Sequence, residues 1–206
     1  MTKPRKASVN RNTRETQISV RLNIDGKGQC GINTGIGILD HMLELFAFHG
    51  LFDLDISAKG DLKVDIHHTN EDIGIVLGEA FKQALKDKRR IKRFGSASVP
   101  MEEVLANVAV DISGRGFFEL NAESNKRTNR TVSRESQGYN EKDAEHFFDA
   151  LAKHLGMNLN IEVGPYNPDL HTTLEPIFKA LGLSLCQATR IEPRRVGVPS
   201  TKGIID

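Results

Sequence analysis

Between Thr16 and Ile24, apolar and polar residues alternate one by one, the period of a strand with one face in a core. Asp25-Gly26 supplies the turn that ends it. Over Ile38–Phe48 the spacing becomes that of a helix with a wide apolar face, and Gly50 ends that helix. Short alternating runs at Leu54–Ser57 and Leu62–Ile66 predict two more strands, with His67–Glu71 leading into a helix from about Asp72 to Lys86. The same order then recurs: a strand at Val104–Ile112, a helix at Ala144–Leu155, a strand at Leu159–Val163 and a helix from about Leu174 to Ala188. Strands and helices in such blocks predict an α+β fold, a mixed or antiparallel sheet with helices on one face. Residues 121–142 are polar and rich in turn formers, and read as a long surface loop, solvated despite its basic residues.

The histidines show that this recurrence is a repeat. His41 and His146 lie 105 residues apart, as do His49 and His154, while His67 and His171 lie 104 apart. Asp40-His41 answers Glu145-His146, and Glu71 answers Glu175. Ile73, Leu77 and Gly78 recur as Ile177, Leu181 and Gly182. Two homologous halves follow, roughly residues 10–95 and 96–192, with a tail over 193–206.

Composition narrows the setting. The chain has 206 residues, 38% of them hydrophobic and 27% charged, with a formal net charge of +1. That balance gives no reason to expect nucleic acid as a partner, and no apolar run approaches the roughly 20 residues of a membrane span. The basic N-terminus lacks the apolar core of a signal peptide. Cys30 and Cys186 have no metal or redox spacing, so a cytoplasmic protein with two reduced thiols is expected.

The repeated histidines carry the chemistry. In His67-His68-Thr69-Asn70-Glu71, a helical first turn puts His67 and Glu71 on one face and points His68 elsewhere. Adjacent imidazoles aimed apart suit two metal ions, one for each. His171-Thr172-Thr173-Leu174-Glu175 repeats the spacing with Thr172 in the place of His68. Two-fold logic then sorts the donors: one site draws on His41, His68, His171 and Glu175, and its mate on His67, Glu71 and His146, with Thr172 beside it. A hydroxyl is a weak ligand, so the second site is expected to hold metal less tightly. Nitrogen and oxygen donors without thiolate suit Mn²⁺, Fe²⁺ or Zn²⁺, and a carboxylate in each set leans toward manganese. One such motif alone would be an ordinary surface cluster; its recurrence at fixed spacing argues for metal. His49 and His154 sit beside Gly50 and Gly156 at helix ends and read as capping or packing groups.

At these residues the chain resembles the imidazoleglycerol-phosphate dehydratases. The resemblance runs from Arg14-Glu15-Thr16 to Ser200-Thr201-Lys202-Gly203, through Thr34-Gly35, Leu39-Asp40-His41, Gly60-Asp61-Leu62, His67–Asp72, Arg93-Phe94-Gly95, Asp111–Arg115, Glu145–Phe148 and Phe178-Lys179-Ala180. It implies two fused halves, each a four-stranded sheet with two helices. It also implies two Mn²⁺ ions per active site, and an assembly of twenty-four subunits with sites at their contacts. The donor sorting agrees with the family's ligand set. Where the family has two adjacent histidines in both halves, this chain has Thr172 in the second.

The family reaction removes a hydroxyl from the carbon beside an imidazole ring and a proton from the next carbon. Metal at the ring nitrogens makes that loss accessible, and a base must take the proton. By resemblance Glu15 is the base, whereas by itself it reads as a surface carboxylate. Arg93, Arg115, Ser200, Thr201 and Lys202 match residues that hold the substrate phosphate, a task for guanidinium forks and an ammonium. Two alternatives stand beside this reading. One is a different dinuclear metalloenzyme; the other is a metal-binding homologue whose turnover is weakened or lost through Thr172.

Overall fold

A computed structural model describes residues 4–122, 135–136, 138–165 and 167–205. In the first sheet, β1 (Lys6–Asn12) pairs antiparallel with β2 (Thr16–Asn23), and β2 with β4 (Asp53–Gly60). β3 (Cys30–Asn33) joins parallel to β4, giving the order β1-β2-β4-β3. The alternation seen in sequence has its physical cause here: Thr16, Ile18, Val20 and Leu22 of β2 are buried. The residues between them are half-buried or exposed on the other face. β5 (Phe94–Met101), β6 (Val104–Asp111), β10 (Asn158–Gly164) and β7 (Phe117–Ala122) build the second sheet in the same pattern. Its order is β5-β6-β10-β7, again with two antiparallel pairings and one parallel.

Four helices lie between the sheets: α1 (Gly37–Gly50), α2 (Ile66–Leu85), α3 (Glu141–Leu155) and α4 (Leu170–Thr189). α2 rests on β1, β2 and β4, and α4 on β5, β6 and β10, while α1 packs with β3 and α3 with β7. Between the two layers α1 packs on α4 and α2 on α3, so each helix pair takes one member from either half. The repeated glycines permit this close approach. A Cβ on Gly182 would stand 2.5 Å from the Phe46 carbonyl oxygen, and one on Gly78 would stand 2.8 Å from that of Leu151. The α+β fold with two homologous halves is as expected, and among the described residues no helix is long and apolar enough to cross a membrane.

Several boundaries differ from the sequence reading. Leu62–Ile66 forms no strand: the Val64 amide donates to the Asp61 carbonyl at 2.7 Å, closing a turn, and Val64 is 76% exposed. Asp65 then caps α2, its carboxylate accepting from the His67 amide at 2.9 Å, so His67–Glu71 lie inside the helix. Asp169 does the same for α4 through the His171 amide at 3.2 Å, which sets that helix's start at Leu170. Of the expected 121–142 loop, β7 takes its first residues, and β8 (Glu135–Ser136) and β9 (Tyr139–Asn140) form a short hairpin before α3. Residues 123–134 and 137 lie outside the described residues.

Candidate metal centre

α1 is started without a side-chain cap at Ile36. Instead Asp40, in its first turn, accepts a hydrogen bond from the Thr34 amide at 2.8 Å and another from the Thr34 hydroxyl. Gly35, with φ +81°, lets the chain bend back to make these bonds. The Thr34-Gly35…Asp40-His41 pattern is thus the device that fixes the helix turn bearing His41.

Helix pairing brings His41 of α1 to His171 and Glu175 of α4. Their metal-binding atoms all lie within 4.8 Å of one another, and this is the group of such donors found among the described residues. His171 Nε2 is 2.9 Å from Glu175 Oε2, His41 Nε2 is 3.8 Å from the same oxygen, and the two rings stack at 5.1 Å. The side chains of His41 and His171 are about two-fifths exposed, whereas Glu175 is largely buried. Burial alone would raise the Glu175 pKa, but hydrogen bonds from Lys179 and His171 hold its carboxyl below the usual glutamate value. Lys179, one turn along α4, places Nζ 2.5 Å from Glu175 Oε1. The sequence reading missed this contact, although the i, i+4 spacing on one helix face signals it. His49 lies close enough that burial, then the Lys179 charge, lowers its pKa.

The pseudo-symmetric mate forms between α2 and α3. His67 Nε2 lies 3.3 Å from Glu71 Oε2, and the His67 and His146 rings cross edge to face at 4.5 Å. His68 points elsewhere, as the spacing predicts: its Nδ1 is 3.1 and 3.3 Å from the two oxygens of Asp61. That hydrogen bond raises the His68 pKa, opposed by desolvation and helped by the charge of Glu15. His68 therefore stands with Asp61 and Glu15, outside the His41–His171–Glu175 group of its own chain. Thr172, expected beside the His67–Glu71–His146 group, donates its hydroxyl to Asp169 Oδ2 at 2.9 Å and is buried. That bond uses the hydroxyl hydrogen and reinforces the α4 cap.

Glu15 sits on the turn between β1 and β2, exposed, in a surface depression it shares with Asp61. The turn is pinned from below by Asp72, which accepts from Thr16 Oγ1 at 2.5 Å and from Arg11 Nε at 2.7 Å. Arg93 adopts φ +77°, and its guanidinium forks onto Asp111 at 2.6 and 3.0 Å. That pairing raises the Arg93 pKa. Its remaining nitrogen donates to the Pro199 carbonyl at 3.0 Å, which holds the tail carrying Ser200, Thr201 and Lys202 beside it. Arg115 lies exposed on the turn after β6.

Two imidazoles and one carboxylate in the His41–His171–Glu175 group, with no cysteine among them, fit a divalent ion of the Mn²⁺, Fe²⁺ or Zn²⁺ kind. Of the second set, His67 meets Glu71 and His146 separately, and the three do not close into such a group within this chain. The partial exposure of the rings leaves room for further ligands from substrate or a second chain.

Comparison with known proteins agrees with this picture. The family model described as imidazoleglycerol-phosphate dehydratase matches residues 34–185. The imidazoleglycerol-phosphate dehydratase of Pelobacter propionicus is 50% identical over 201 residues, covering 98% of this chain and 99% of that relative. That of Thermoanaerobacter pseudethanolicus is 52% identical over 201 residues, covering 98% and 100%. Among solved structures, the Staphylococcus aureus enzyme superposes with a TM-score of 0.77 at 34% identity, covering 91% of this chain and 99% of the other. The Pyrococcus furiosus protein gives 0.77 at 35% identity, covering 95% and 99%. Identity over full-length relatives and a shared fold establish that the chain belongs to the imidazoleglycerol-phosphate dehydratase family of hydro-lyases.

Proposed function

We propose that this chain carries out the Mn²⁺-dependent dehydration of imidazoleglycerol phosphate to imidazole acetol phosphate in histidine biosynthesis, in the cytoplasm. The observation that carries the reading is the His41–His171–Glu175 group, with the matching His67 beside Glu71 and His146 in the other helix pair. Two Mn²⁺ ions per active site would be held by His41, His68, His171 and Glu175 and by His67, Glu71 and His146. When bound, they supply Lewis acidity at the substrate's imidazole ring. Glu15 takes the carbon-bound proton; together with the departing hydroxyl this makes one water, and the enol left behind becomes the ketone. Arg115, Ser200, Thr201 and Lys202 hold the phosphate, with Arg93 fixing the tail as well as offering charge. His68 stands apart from its set within one chain, so a neighbouring copy supplies it, in keeping with a homo-oligomer of twenty-four subunits.

The test is a dehydratase assay on chelator-stripped protein with and without added Mn²⁺. Ketone should form only with the metal restored. Full activity in stripped protein, or no product with Mn²⁺ present, overturns the reading. Thr172, with its hydroxyl turned to Asp169, favours one second reading: a homologue that binds metal and phosphate without turnover. Metal binding and assembly without ketone in the same assay would identify it.

A further inference from the structure

We infer that Asp61 is a positioning residue for His68: it accepts the Nδ1–H and so fixes the ring with Nε2 as the free metal donor. This deepens the metal reading above and rests on it. Three observations carry it. First, both Asp61 oxygens lie within 3.3 Å of His68 Nδ1, and no hydrogen bond to the opposite ring nitrogen forms among the described residues. An imidazole whose Nδ1–H is held by a carboxylate is locked in one tautomer and orientation, and its Nε2 lone pair is made more basic.

Second, the backbone is shaped to bring the pair together. A Cβ on Gly60 would fall 1.9 Å from Thr69 Oγ1, so only glycine lets the end of β4 lie against the first turn of α2. Asp61 follows directly, and its carbonyl closes the turn by accepting from the Val64 amide at 2.7 Å. The backbone makes that turn by itself, so the turn does not require a carboxylate side chain.

Third, the internal repeat keeps or loses the two residues together. At the 104-residue offset Gly60 answers Gly164, Asp65 answers Asp169, His67 answers His171 and Glu71 answers Glu175. At the same offset Asp61 answers Pro165 and His68 answers Thr172. Where the imidazole is absent its carboxylate is absent too. A residue kept for the turn alone has no reason to follow the histidine.

The experiment titrates Mn²⁺ into stripped wild-type, Asp61→Asn, Asp61→Ala, His68→Ala and Asp61→Ala/His68→Ala proteins by calorimetry. It also reads the His68 ring nitrogens by ¹⁵N NMR in metal-free protein, at a pH where the ring is neutral. Asp61→Ala should weaken one class of site by roughly 10–100-fold, the usual cost of losing such an outer partner. In the His68→Ala background the same change should do nothing further. Asp61→Asn keeps the shape and serves if the alanine variant does not fold; it should weaken the site by several-fold. The wild-type ring should carry its proton on Nδ1, and Asp61→Asn should shift protons toward Nε2. Unchanged affinity in Asp61→Asn, or an Asp61 effect that persists without His68, overturns the inference. Wild-type protein that binds no Mn²⁺ defeats the metal reading, while the NMR result still decides the role of Asp61.

Discussion

The imidazoles of His67 and His146 meet edge to face at 4.5 Å although α2 and α3 belong to different halves. Asn70, buried one turn along α2, holds that junction. Its side-chain amide donates to the Asp143 carbonyl at 2.6 Å, and its oxygen accepts from the Tyr139 hydroxyl at 3.0 Å. Asn70→Ala strands both partners in the core, where each unsatisfied group costs about 1–3 kcal/mol. A loss of about 2–6 kcal/mol in urea unfolding is expected, and an unchanged midpoint would show that α2 and α3 are held by packing alone.

Thr172 tests whether the departure from the family motif lies at the metal. Thr172→Val keeps the shape and removes the hydroxyl that bonds Asp169. Asp169 keeps its bond from the His171 amide, so the expected cost is about 1 kcal/mol of stability with Mn²⁺ affinity unchanged. A fall in Mn²⁺ affinity for the valine variant would place the hydroxyl on the ion after all.

Gly182→Ala sets two effects against each other. Alanine gains about 1 kcal/mol of helix propensity, but its methyl carbon would stand 2.5 Å from the Phe46 carbonyl oxygen. Overpacking of this kind costs about 1–3 kcal/mol, more when backbone must move. The contact should win, lowering the melting temperature, and Gly78→Ala should behave alike through Leu151. A raised melting temperature in either variant would mean that the helix pairs pack more loosely than described.

Arg93→Ala and Lys202→Ala should raise KM more than they lower kcat, because a phosphate remote from the broken bonds contributes mainly uniform binding. The two should differ in stability. Arg93 is forked onto Asp111 and ties down Pro199, so its loss should also lower the melting temperature, whereas exposed Lys202 should leave it unchanged. Steady-state kinetics with melting curves on both variants decides; an unchanged KM in both would remove them from the phosphate.

The long elements were legible because their burial is one-sided over many residues, as in β2 and α3. The edge strands were not. β1 buries only Val9 among its seven residues, so its sequence carries almost no alternation. β3 and β7 bury no residue fully. Leu62–Ile66 misled in the opposite sense, since five residues can show a strand's period while a turn and an N-cap claim their backbone. For the site, the repeat sorted His41 with His171 and Glu175 before any coordinates, because helix-spaced donors recur only under a shared constraint. The contacts of Asp61 and Lys179, both within stretches matched to the family, were not legible because each acts on a neighbour through a contact that only folding creates, across a turn for one and along a helix face for the other.

The crossing of the helix pairs has a consequence for how such a chain could arise. Neither half holds a complete donor group: the first has His41 without His171 and Glu175, the second His146 without His67 and Glu71. A half-length ancestor would have housed metal only as a self-associated pair, with two identical sites obliged to change in step. In the joined chain the two halves can change separately, and at His68 and Thr172 they differ.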